Sequence, residues 1–171
     1  MIKKLNELKK KWEKENIPSF NIGIGLNSGD AIVGNMGSFD RFDYTAMGDN
    51  VNLASRMEGL NKLYGTKILI TEYTYKAVKD KFETRKLDAV RVKGKRKPIL
   101  IFELVSKKDE IDKKHRDFIS LYETGLEFYF KKDWKAAIKS FQDALKLVKD
   151  NASNVFIARC KEFIKNPPPD D

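Results

Sequence analysis

Cysteine and histidine are almost absent from this chain, which has one of each, Cys160 and His115, in 171 residues. A disulfide framework is therefore excluded, and a zinc site built from thiolates and imidazoles has no material to form from. Long apolar runs are missing as well. No uninterrupted stretch approaches the roughly 18 residues of a membrane span, and none follows Met1 as a secretion signal would. Two nucleotide motifs are also lacking. No Gly-x-x-x-x-Gly-Lys-Ser/Thr run exists, which removes a Walker-type phosphate cradle. Gly23-Ile24-Gly25 has Ser28 where a third glycine belongs and opens no helix, which removes a dinucleotide fingerprint. No Ser/His/Asp or Cys/His set can be assembled around the solitary His115. What is present is enough for a packed core, with 41% apolar and 11% aromatic residues. The length fits one medium domain or a domain plus a small appendage. A soluble, cytoplasmic protein is expected.

The net charge of +9 is concentrated in two places. Residues 1–14 hold six lysines and two glutamates, and residues 91–98 hold Arg91, Lys93, Lys95, Arg96 and Lys97 with no acid. A uniformly basic chain suggests nucleic acid, whereas two separate clusters suggest a solvated helix face and a phosphate-facing turn. Loose surface lysines explain either cluster equally well, and no nucleic-acid partner is expected.

Ile2, Leu5, Leu8 and Trp12 have helical spacing, and Pro18 ends that helix. Phe20, Ile22, Ile24 and Leu26 alternate with polar or glycine positions and predict a strand. Eight of the ten glycines fall between Gly23 and Gly65, which implies tight turns and close backbone approach there. Ala31 to Val33 is a short apolar piece, 34–38 reads as a turn, and Arg41 to Met47 as a second strand. Asp49 or Asn50 is the expected N-cap of a helix running to Tyr64, with Gly65 just past its end. Leu53, Met57, Leu60 and Tyr64 form its apolar stripe. Lys67 to Thr71 reads as a strand and Glu72 to Val78 as a short helix. A strand pair at Leu87–Val92 and Pro98–Val105 flanks a turn at Gly94. The charged stretch Ser106–Arg116 is the expected boundary, followed by helix until Pro167.

Asn52 and Arg56 sit four residues apart on that central helix, so they share a face beside its apolar stripe. An amide that orients a sugar and a guanidinium that stabilises phosphoryl charge suit nucleotide chemistry. Lys93, on the Val92-Lys93-Gly94-Lys95 turn, adds a point charge for a polyphosphate. Most such pairs on helices are solvated surface and most hairpin lysines bind nothing, so spacing alone leaves both readings open.

The run from Ile22 to Gly29, the segment Val33-Gly34-Asn35-Met36-Gly37 and the block from Arg41 to Glu58 resemble the second half of class III adenylate/guanylate cyclase domains. Val92-Lys93-Gly94-Lys95 resembles that family's late phosphate-binding turn. The resemblance implies an α+β fold: a partial ferredoxin-like cyclase domain over residues 1–106, a charged linker at 107–116, and a helical tail at 117–171. It implies that Asn52 orients the ribose, that Arg56 stabilises charge on the α-phosphate during attack by the 3′-oxygen, and that Lys93 holds the terminal phosphates. Thr45 falls where the family reads the purine, and a hydroxyl there favours ATP. The family also binds two Mg²⁺ or Mn²⁺ ions through two aspartates. Asp30, Asp40, Asp43 and Asp49 do not match those positions, so the metal ligands are expected to be absent from this chain.

The family's sites lie between two subunits, so a homodimer or a complementing cyclase subunit is the expected partner. The isolated chain is expected to be silent, because two copies of a half site cannot make a whole one. With its neighbouring strands absent, the Phe20–Leu26 strand is expected to expose unpaired edges and the chain to self-associate. A non-catalytic interaction module is the alternative. In the tail, Leu121, Gly125, Phe128, Ala137, Phe141 and Ala144 fit one tetratricopeptide-like helix pair, with Lys131-Lys132-Asp133 as its turn. Phe156, Cys160 and Phe163 recur helically on a third helix. The tail resembles the end of bacterial membrane-anchored receptor cyclases.

Overall fold

The computed structural model describes residues 1–38, 41–91 and 98–169. It is an α+β fold with six α-helices and six strands among those residues. Helix α1 (Ile2–Lys14) carries the basic N-terminus and buries no residue. Its Trp12 folds back onto Phe20, with ring centroids 5.2 Å apart. Strand β1 (Ile24–Leu26) is shorter than its alternating pattern predicts. Its partner β4 (Ile68–Thr71) runs parallel to it from Ile24 opposite Ile68 to Leu26 opposite Ile70, so residues 20–23 lie beyond the pairing.

Strands β2 (Ile32–Ser38) and β3 (Arg41–Met47) form a separate two-stranded antiparallel sheet, in register from Ile32 opposite Met47 to Ser38 opposite Arg41. The expected turn at 34–38 is therefore a strand. An unbroken ladder with β3 supplies the backbone hydrogen bonds that its glycines alone do not predict. Helix α2 (Asp49–Tyr64) follows after one residue, Gly48. That glycine, at φ +131°, is the N-cap in place of the expected Asp49 or Asn50. Few L residues adopt this φ, and it turns the end of β3 directly into the helix. Left-handed Gly65 ends α2 as expected. Leu53, Met57 and Tyr64 are buried and Leu60 packs against them, so the predicted stripe is the packed face.

Helix α3 (Glu72–Val78) places Tyr75 in a stack on Phe102, centroids 4.1 Å apart. Strands β5 (Phe82–Val90) and β6 (Ile99–Lys107) complete a four-stranded sheet in the order β1-β4-β6-β5. The turn expected at Gly94 lies outside the described residues. A short 3₁₀ turn at Lys108–Glu110 leads to α4 (Lys113–Phe130), α5 (Trp134–Leu147) and α6 (Asn151–Lys165). Each of these helices starts on an aspartate that accepts from a backbone N–H: Asp112 from His115, Asp133 from Ala136, and Asp150 from Ser153.

One buried cluster joins sheet and tail. Leu53, Met57, Leu69, Leu87 and Ile101 pack together with Tyr122, Leu126, Phe141, Phe156 and Cys160. Gly125 lets α4 approach α5, since a Cβ there would lie 2.9 Å from the Phe141 ring. Strand β5 stands at the sheet's edge, and α4 covers its backbone. The Tyr122 hydroxyl donates to the Leu87 carbonyl at 2.9 Å, and the Glu123 carboxylate accepts from Lys86 N–H at 2.7 Å. These side chains take up polar groups that another strand would otherwise claim.

Candidate active site

Helix α2 is fixed to the sheet by short polar side chains. Near its start, the Thr71 hydroxyl donates to Asn27 Oδ1 at 2.7 Å, Asn27 Nδ2 donates to the Asn50 carbonyl at 3.1 Å, and Asn50 Nδ2 donates to the Asp30 carbonyl at 2.9 Å. Asn50 is thus occupied in tying α2 to the loop after β1, which explains why it is not the cap. Farther along, buried Asn61 donates to the Ile24 carbonyl at 3.1 Å and accepts from the Thr66 hydroxyl at 3.0 Å. Gly25 makes this closeness possible. A Cβ on it would lie 2.3 Å from both the Ala54 carbonyl oxygen and the Glu58 nitrogen, so β1 and α2 touch backbone to backbone.

On this anchored helix, Asn52 and Arg56 are both exposed and share one face, as their spacing predicts. No hydrogen bond or ion pair to another described residue engages either side chain. They do not line the two grooves, of about 700 and 870 Å³, that lie beside α1. Thr45 is exposed on β3, four residues before α2 begins, so it and Asn52 flank the Gly48 junction. Lys93 lies outside the described residues, as does Asp40. The structure thus exposes Asn52 and Arg56 on one face of α2 and Thr45 on the strand that leads into it.

Among the described residues no three carboxylate, imidazole or thiol groups converge. No helix among the described residues is long and apolar enough to cross a membrane.

Sequence reasoning passed over the groups that hold α2 at its far end. Arg159 of α6 donates to Asp88 Oδ2 at 2.7 Å, and the Tyr64 hydroxyl donates to the same oxygen at 2.5 Å. Burial, and then the Asp88 carboxylate, push the Tyr64 hydroxyl pKa well above its ordinary value. Next to this cluster, Arg85 is 1% exposed and pairs with Glu103 at 2.6 Å and Asp150 at 3.0 Å. Burial opposes its charge, but these carboxylates outweigh that effect and raise its pKa. The Arg85 guanidinium also lies 4.3 Å from the centre of the Tyr122 ring. The available signal was a charged residue at inward positions of a strand, visible only once β5 is extended back to Phe82.

The chain belongs to the adenylate and guanylate cyclase catalytic domain family, whose profile matches residues 1–106. It is 36% identical over 153 residues, 86% of the chain, to the terminal-differentiation-specific adenylate cyclase of Dictyostelium discoideum. It is 42% identical over 52% of its length to adenylate cyclase 1 of Rhizobium meliloti, and 43% identical over 53% to an adenylate cyclase of Anabaena cylindrica. The chain spans 7%, 13% and 19% of those three proteins. Among solved structures, the adenylyl cyclase CyaB from P. aeruginosa superposes with a TM-score of 0.54 at 33% identity, covering 64% of this chain and 56% of that one. The guanylyl cyclase Cya2 gives 0.52 at 28% identity, covering 63% and 54%.

Proposed function

We propose that this chain supplies the transition-state side of an adenylate cyclase site, which turns ATP into 3′,5′-cyclic AMP and pyrophosphate. The observation that carries the reading is the uncommitted Asn52–Arg56 pair on a helix whose position is fixed by Asn27, Asn50 and Asn61. An unpaired amide and guanidinium on a rigid face cost little reorganisation when a nucleotide arrives. In this reading Asn52 orients the ribose and Arg56 stabilises charge building on the α-phosphate. Lys93 holds the terminal phosphates. Thr45 accepts or donates a hydrogen bond at the purine edge, which favours ATP over GTP. Three relatives named as adenylate cyclases support that choice.

The open face calls for a second polypeptide. The β2–β3 hairpin exposes Ile32, Val33, Phe42, Tyr44 and Met47, with Tyr44 at 76% exposure. Such an apolar surface beside the α2 entrance suits a second copy or a complementing cyclase subunit. The carboxylates for Mg²⁺ or Mn²⁺ would come from that partner, so no step is assigned to metal ions within this chain. Alone, it is silent. The α4–α5 pair acts as a single tetratricopeptide-like unit that packs on its own chain.

Mixing the chain with a cyclase that keeps its metal aspartates but has lost its own Asn/Arg helix tests the proposal. Cyclic AMP production is expected, with Arg56→Ala lowering it about 10²- to 10³-fold, the scale of a lost transition-state donor. An Arg56→Ala chain as active as the parent would overturn the assignment. Cyclic AMP formed by the pure chain with ATP and Mn²⁺ would overturn its dependence on a partner. The alternative, a non-catalytic interaction module, rests on the same apolar hairpin and predicts tight association without product.

A further inference from the structure

The near end of α2 is tied to the sheet, but its far end is tied to the tail. Asn151, the first residue of α6, donates through Nδ2 to the Leu63 carbonyl at 2.8 Å. Two turns later Arg159 reaches Asp88 on β5 at 2.7 Å and the Tyr64 hydroxyl at 3.3 Å, while Tyr64 donates to that same carboxylate. Helix α6 is itself fixed to β5 by Asp150, which caps it through Ser153 and pairs with Arg85. The last turn of α2 therefore sits in a polar clamp with one jaw on β5 and the other on α6. An apolar contact tolerates sliding by a fraction of a turn, whereas charge-assisted hydrogen bonds hold one register. Their net contribution to stability is small once desolvation is counted, so what they add is mainly geometric definition. Arg56 lies eight residues, or about 12 Å, up the same rigid rod.

We propose that the helical tail is a positioning part of the cyclase half, in which Arg159, Asp88 and Tyr64 set the register of α2 and hence the placement of Asn52 and Arg56. Its consequence for turnover rests on the cyclase reading of those two residues, while the clamp itself does not. Arg159, Asp88 and Tyr64 are positioning residues and touch no substrate.

The test compares the full-length chain with Arg159→Lys and with the double variant Asp88→Asn/Arg159→Met. The double variant removes both charges together, so no buried carboxylate is left without a partner and the fold is retained. Amide hydrogen exchange, followed by mass spectrometry, is expected to rise about tenfold or more across 57–64 in the double variant, with β4 and β6 unchanged. Arg159→Lys, which keeps the charge without the planar fork, is expected to fall between the two. In the complementation assay the double variant is expected to lose about ten- to a hundredfold in kcat with KM for ATP unchanged, because a misplaced transition-state group costs rate. Faster exchange confined to α5 and α6, with 57–64 still protected, would overturn the proposal. So would a double variant with full kcat. If the unmodified pair makes no cyclic AMP, the cyclase reading fails, and the exchange pattern alone decides the clamp.

Discussion

Glu123 shows how one residue couples charge to the fold. It is half-buried on α4, and its carboxylate accepts the Lys86 N–H of the edge strand. Burial dominates and raises its pKa above the ordinary 4.5. The folded state thus holds a proton more tightly than the unfolded one. Stability is greatest below about pH 4.5 as far as this group is concerned, and it falls as pH rises through the raised value. Glu123→Gln, which keeps an acceptor for Lys86, is expected to flatten that part of the stability–pH curve, measured by urea denaturation from pH 4 to 8. At this scale the sequence was legible where residues stand in one motif. Asn52, Arg56 and Thr45 stand in one continuous block, and the structure places them along one stretch of chain. Their supports were not legible, because Asp88 and Arg159 are 71 residues apart and neither carries a local pattern. Asn61 carries no local pattern either, and only the meeting of β1 with α2 gives it the Ile24 carbonyl as a partner.

Elements were legible in proportion to how one-sided their burial is. Helix α2 and the three tail helices bury one stripe each, so a 3.6-residue period exposes them. Strand β2 buries no complete face, and its two glycines mimic a turn, so only pairing with β3 defines it. Strand β5 begins five residues earlier than its apolar core suggests, because its inward positions include Arg85. The contact between α4 and that strand is open to a direct test. Tyr122→Phe removes the donor to the Leu87 carbonyl while leaving the ring against Phe141 and Phe156. A buried carbonyl without a partner costs about 1–3 kcal/mol. The urea midpoint is expected to drop accordingly at constant m-value.

The sheet and tail share one core, so the chain's compactness comes from contacts far apart in sequence that no local pattern announces. The hairpin is the surface most exposed to association. Phe42→Lys with Tyr44→Lys is expected to shift the protein toward monomer in light scattering at high concentration, while its circular dichroism stays unchanged. A wild-type chain that is already monomeric there would remove the hairpin as the contact. The way Tyr122 and Glu123 occupy the backbone of β5 makes the four-stranded sheet directional. A strand that tries to extend the sheet on the β5 flank, from a complementing subunit or a synthetic peptide, has to displace Tyr122 and Glu123 first.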